Sequence, residues 1–377
     1  MNEYYQREAD QTVEDKEGKI GRMDKIKKFI LVILVAGIGD LILASKSIRA
    51  IKNGYPDADI HLLTNSEAVP IAQNYRYIDY VWSFPIREMR KDKRYLLDIM
   101  KLVLGLRKIK FDFVVNLYAV SSWLGAIKMG FLFLLLGAKE RMGHDSKGFG
   151  LFVDKKVPVG AFQNRHFADA MLDIALLAGG VPDTKGIEIF WDKKYEKKWE
   201  HLFLKKTGVS QEVVIGVNPG GDRLNRRWNP DYYAFLADRF IENFKAKIVF
   251  LGGLGEEDIA GYIESKMKND IVNLAGKLTL NDLAYLISRF DLLITNDSGP
   301  MHIGAAVGTR LVAIFGPEDP VLMGPYSSPN LYRVVYKDVI CRPCNKKRCD
   351  RPVCLDMVTP EEVYEKCIEL LNTNKSM

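Results

Sequence analysis

The chain has 377 residues, 47% hydrophobic and 27% charged, the balance of a soluble globular protein with enough apolar material for two or three domains. Its formal charge of +6, from 54 Lys and Arg against 48 Asp and Glu, is too small an excess to argue for nucleic acid by itself; it suits an anionic substrate or an anionic membrane surface. No secretory signal opens the chain and its first apolar run is too short to span a bilayer, so the expected compartment is the cytoplasm.

Residues 1–28 are polar and charged and read as a mobile extension. Apolar runs then predict strands at 29–36, 60–64, 81–84, 113–117 and 140–143, with helices between them. The first helix, near 41–53, stops at Gly54 and Pro56. Residues 113–138 carry Lys128 as their only charge and read as a strand followed by a buried helix, with a membrane-touching helix as an open alternative and a membrane span as the minority reading. Residues 87–110 are basic at both ends, with Leu, Ile and Met at helical spacing between. That pattern suits an interfacial helix near anionic headgroups, or an amphipathic helix whose apolar face lies in the core.

The pattern restarts with strands at 213–218, 246–251, 271–274, 292–295 and 311–315, and helices at 231–243, 256–268, 280–289 and 301–307. A lysine-rich stretch, 191–206, separates the halves. The expected plan is α/β: an extension at 1–28, a doubly wound parallel-sheet domain at 29–190, a linker at 191–208, a second such domain at 209–358, and a helix and tail at 359–377. Two Rossmann-like domains in tandem place a ligand cleft at the carboxyl ends of their sheets.

The turn after the first strand, Gly37-Ile38-Gly39-Asp40, is not a dinucleotide loop, because Ile42 stands where the third glycine is needed. Asp40 either caps the following helix through the amides of residues 41–43 or faces the cleft as a general base. After the strand ending at Asn218, the turn Pro219-Gly220-Gly221 leads into Arg223, Arg226 and Arg227, which suit bidentate grip of a diphosphate. After the strand ending at Thr295, Asp297, Ser298 and Gly299 open a helix whose N-terminal amides make an anion site. Asp297 orients that turn or takes a sugar hydroxyl; His302 donates to a phosphate or packs. Glu256, after Gly252-Gly253-Leu254-Gly255, is a ribose candidate or a dipole-stabilised helix start. Together these residues suggest group transfer from a nucleotide diphosphate.

Five stretches carry a family likeness: GIGDLILASKSIRAIKNGYPDADIHLL, LGAKERMGHD, NPGGDRLNRRWNP, FLGGLGEED and TNDSGPMHIGAAVGTRLVAIFGPEDP. On these the chain resembles glycosyltransferase family 9, the ADP-heptose:lipopolysaccharide heptosyltransferase family, from about residue 29 to residue 371. The resemblance implies the GT-B architecture and an inverting transfer that requires no metal. In it Asp40 is the catalytic base, and Arg226 or Arg227 neutralises the leaving diphosphate. Asp297, Ser298, Gly299 and His302 match the phosphate-side motif, Glu256 the acid that binds ribose, and Leu278 the position whose main chain meets the base. The implied partners are ADP-heptose and a lipopolysaccharide-core-like or other glycan acceptor, either free or lipid-linked, with peripheral inner-membrane contact of the protein as an option and without nucleic acid. Ser298 replaces the family's threonine, Asn229 separates Trp228 from Pro230, and Asn116 replaces an acid, which leaves the sugar and acceptor open.

Cys341, Cys344, Cys349 and Cys354 fall within 14 residues. Reduced or disulfide-paired thiols in a tight loop are the favoured reading, with a structural Zn²⁺ on the four as the second. The basic residues among them admit a rival class, a zinc-stabilised nucleic-acid-binding protein. A nucleotide-sugar epimerase or hydrolase of GT-B type is a further alternative, sharing the donor site without an acceptor.

Overall fold

The computed structural model describes residues 5–6, 27–120, 122–145, 148–158, 164–203, 213–344, 346 and 348–372. Most of the 1–28 extension, and residues 204–208 of the linker expected at 191–208, lie outside the described residues. The chain divides into two compact units, Met1–Gln163 with Ala168–Thr184, and Asn164–Phe167 with Lys185–Met377.

The first unit is built on β1 (Tyr5–Gln6), β2 (Phe29–Leu34), β3 (Asp59–Asn65), β4 (Tyr80–Phe84), β5 (Phe113–Asn116), β6 (Glu140–Asp145) and β7 (Lys155–Pro158). They lie in the order β1-β4-β3-β2-β5-β6-β7. All neighbours are parallel except β1, which runs antiparallel to β4. The second unit has β8 (Val214–Asn218), β9 (Lys247–Phe250), β10 (Val272–Asn273), β11 (Leu292–Asn296), β12 (Leu311–Phe315) and β13 (Tyr332–Tyr336). Its order is β10-β9-β8-β11-β12-β13, parallel throughout.

Helices cover both faces of a parallel sheet, so its central strands are buried on both sides and read as unbroken apolar runs. β2 (FILVIL) and β12 (LVAIF) show this directly. In each unit the strand order reverses beside the first long strand, at β2/β5 and at β8/β11. Open α/β sheets bind ligands in the crevice at such a switch, outside the carboxyl ends of the strands.

Three expectations change. The edge strands β7 and β13 were not foreseen, because strands half in solvent carry no apolar run. The stretch 87–110 is not one helix: Ile86–Lys91 and Tyr95–Arg107 are separated at Asp92, whose backbone is extended. The helix expected to be buried, Trp123–Leu136, forms, but only Ala126, Gly130, Phe133 and Leu136 are buried, and its other side is in solvent.

Candidate active site

In the second unit Asn218 of β8 stands opposite Thr295 of β11. The loops leaving those two strands therefore start side by side at the switch. Asn296, fully buried at the end of β11, ties them together. Its Oδ1 accepts from Trp228 N at 3.1 Å and from the Tyr233 hydroxyl at 2.9 Å. Its Nδ2 donates to the carbonyls of Pro219 and Gly220 at 2.8 and 3.1 Å. Asn218 Nδ2 donates to Ser298 Oγ at 3.2 Å, joining the two strand ends a second time.

The loop held this way carries the arginines. Arg226 lies between two acids: Nη1 is 3.1 Å from Asp297 Oδ2, and Nη2 donates to Glu318 Oε1. Arg223 Nη1 reaches the same Glu318 oxygen at 2.9 Å. The Arg226–Asp297 approach is an ion contact without an aligned hydrogen bond, so Asp297 Oδ2 has no hydrogen-bond partner. Arg226 Nε and His302 Nδ1 are likewise buried and unpartnered among the described residues. Burial raises the Asp297 carboxyl to about 6; the Arg226 cation opposes the rise and the Glu318 anion adds to it. Burial lowers His302 to about 3, with the positive charges of His166 and Arg226 acting in the same direction, so the imidazole is neutral.

Ser298 precedes helix Gly299–Val307, with Pro300 in the first turn and no side-chain cap on the helix amides. His302 is the fourth residue of that helix rather than the second. The site thus offers guanidinium, amide and hydroxyl donors within one short arc.

Glu256 and Arg227 form the neighbouring wall. Glu256 takes the Gly221 N–H on Oε1, at 2.5 Å, and the Gly253 N–H on Oε2, at 2.7 Å. Arg227 Nε donates to Gly221 O at 2.9 Å, with Nη2 3.5 Å from Glu256. Gly220 and Gly221 are required here. A Cβ at Gly220 would come within 2.3 Å of the Glu256 carboxylate, and Gly221 has φ +146°. Gly276 N donates to Gly252 O at 3.1 Å, which sets the turn bearing the half-buried Leu278 beside this wall.

Asp40 belongs to the first unit, in the first turn of helix Ile38–Gly54. Its Oδ2 accepts from Gly37 N at 2.9 Å, a reach back to the residue before the helix. At the adjacent strand end Asn116 is buried and closes a tight turn, donating to Tyr118 O at 2.8 Å.

Structure therefore brings Arg226, Asp297, Ser298, Gly299 and His302 together, with Arg227 and Glu256 adjoining. Sequence reasoning passed over Asn296, although it lies inside the TNDSG motif, and over Glu318, although it lies inside the GPEDP end of the same stretch. It also missed His166, whose Nε2 sits 2.9 Å from Gly324 O and whose ring packs 4.8 Å from that of Tyr326.

Cys341, Cys344, Cys349 and Cys354 are free thiols, two exposed and Cys354 buried. Among the described residues no three His, Cys, Asp or Glu side chains are grouped to hold an ion.

Paired Rossmann-like units of this strand order, with an anion cradle at the switch of the second sheet, define the GT-B class of glycosyltransferase. The chain matches glycosyltransferase family 9 (heptosyltransferase) over residues 99–353, and it belongs to that family. It is 31% identical to lipooligosaccharide heptosyltransferase 2 of Campylobacter jejuni subsp. jejuni serotype O:2 over 186 residues, 48% of this chain. That match spans 57% of the Campylobacter protein, little more than half its length. Lipooligosaccharide heptosyltransferase 2 of Haemophilus influenzae is 26% identical over 359 residues, covering 91% of this chain and 99% of that one. The solved structure of Escherichia coli ADP-heptose LPS heptosyltransferase II superposes with a TM-score of 0.71 at 21% identity, over 92% of this chain and 99% of the other.

Proposed function

We propose that the chain transfers a heptose from ADP-heptose to a hydroxyl of a lipopolysaccharide-core-like acceptor, with inversion at the anomeric carbon. Two buried polar atoms without a hydrogen bond carry this reading, Arg226 Nε and His302 Nδ1, beside Asp297, whose Oδ2 has only its ion contact with Arg226. Buried polar groups are nearly always satisfied, so a cluster of unsatisfied ones marks where a polar ligand sits. A diphosphate fits. Arg226 can grip it through two nitrogens, Ser298 can donate its hydroxyl, and the amides at Gly299 face the charge with the helix dipole behind them. The names of the family 9 relatives supply the heptose, and that of the Escherichia coli structure supplies ADP.

In the reaction the acceptor oxygen attacks the anomeric carbon as the bond to the β-phosphate breaks, and the acceptor proton passes to the Asp40 carboxylate. The Gly37 N–H bond holds that carboxylate in one orientation. Negative charge accumulates on the departing ADP, where fixed donors stabilise it without reorganisation. Glu256 and the turn at Leu278 form the ribose and base side. The acceptor is lipid-linked, with the protein in peripheral contact with the inner membrane.

Thermal-shift measurement with ADP, UDP and GDP tests the donor: selective stabilisation by ADP is expected, and equal or absent shifts reject it. Asp40→Ala tests the base. Loss of turnover with an unchanged ADP affinity is expected, whereas full activity removes Asp40 from the mechanism.

A further inference from the structure

Helix Trp123–Leu136 carries two apolar stripes. One enters the core; the other, made of Trp123, Leu124, Ile127, Phe131 and Leu134, is 56–67% exposed. An apolar side chain left in water forgoes stabilisation of about 1.5–3 kcal/mol on full burial, and five along one helix form a patch rather than scattered exceptions.

The patch continues onto its neighbours. Helix Tyr95–Arg107 packs on the same core through Ile99, Val103 and Leu106 and exposes Leu97 and Leu104. The two helices are joined where Arg107 donates to the carbonyls of Leu134 and Leu135. On the other flank the Phe152 ring presses against Gly130, and Phe149 meets Trp123 edge-on at 5.0 Å, with Leu151 exposed between them.

Its charge is one-sided. Helix Trp123–Leu136 bears Lys128 and no acid, and Asp98 is the single acid of helix Tyr95–Arg107. Lys101, Lys108 and Lys128 are exposed and have no ion pair among the described residues. No helix among the described residues is long and apolar enough to cross a membrane. An apolar face with cations at its border matches an anionic lipid surface, with the side chains in the acyl boundary and the lysines at headgroup level.

We propose that this face docks the first unit onto an anionic bilayer. The inference rests on the reading that the acceptor is lipid-linked, and it names the surface that reaches the lipid. The test is co-sedimentation of the full chain with phosphatidylcholine vesicles, with and without phosphatidylglycerol, at low and high salt. Binding to phosphatidylglycerol vesicles that weakens with salt is expected. Ile127→Glu/Phe131→Glu should weaken it about tenfold or more. Lys101→Glu/Lys128→Glu should remove the salt-sensitive part, and both variants should keep the wild-type ADP thermal shift. A wild-type chain that stays in the supernatant, or apolar-face variants that bind as it does, overturns the proposal. So does a dimer that Ile127→Glu/Phe131→Glu converts to monomer without any vesicle binding, which would make the patch a contact between copies. Vesicle binding is read without turnover, and turnover on a lipid-free core oligosaccharide is read without vesicles, so failure of docking and failure of the transferase reading are told apart.

Discussion

Replacing Asn296 with alanine removes the tie between the strand end and the arginine loop. Four partners lose their bond: the Trp228 N–H, the Tyr233 hydroxyl, and the carbonyls of Pro219 and Gly220. Each buried group left unsatisfied costs about 1–3 kcal/mol, but the four share one side chain and their losses overlap. A net destabilisation of about 3–5 kcal/mol follows, read from urea unfolding by circular dichroism. Asn296→Asp is no milder, although it is isosteric. It keeps the Oδ1 acceptor but turns the second position, 2.8 Å from Pro219 O, from donor to acceptor. Because the loop carries Arg226, ADP affinity measured by calorimetry should also fall about tenfold, or about 1.4 kcal/mol. A stability change under about 0.5 kcal/mol with an unchanged ADP affinity would refute the assignment of Asn296 as the tie.

Arg226→Ala should weaken ADP by about 1.5–3 kcal/mol, the worth of hydrogen bonds to a charged group; equal ADP affinity in the variant contradicts its phosphate role. Gly220→Ala forces a Cβ to within 2.3 Å of the Glu256 carboxylate, so it should break the Glu256 bonds to Gly221 and Gly253 and lower ADP affinity, checked by the same calorimetry. Asp297 already titrates at about 6, and an anion beside it raises it further; ADP binding should therefore take up a proton at neutral pH, seen as a buffer-dependent binding heat that Asp297→Asn abolishes. His61, His144 and His302 are lowered by burial to about 4, 3 and 3. The folded chain thus binds these protons less readily than the unfolded chain. Their contribution to stability is whole above pH ~6.5 and is lost as pH falls towards those values. Asp297, raised instead, loses its contribution as pH climbs from ~3.8 to about 6, one group against three. Urea midpoints that do not fall between neutral and acid pH would contradict the burial of these imidazoles.

The core strands of both sheets could be read directly because burial on two faces demands unbroken apolar runs; β7 and β13, each covered on one side at most, gave no such run. The turn at Asp297, Ser298 and Gly299 was readable as strand, polar turn and helix start. The partners of Arg226 were not, because Glu318 approaches from another strand end and no local spacing records that distance. For the same reason Asn296 passed as one polar letter in a motif, although its four bonds shape the loop. Residues 123–136 show the division most clearly. The sequence by itself determined that they are apolar and helical; the structure shows Gly137, left-handed, ending the helix. Two stripes of similar hydrophobicity satisfy that pattern equally. Which one enters the core was decided by tertiary structure, where Gly130 lets the Phe152 ring lie against the helix and Phe133 and Leu136 fill the space above β2 and β5. Local sequence specifies how much of a helix wants burial, and only its neighbours in space specify which side receives it.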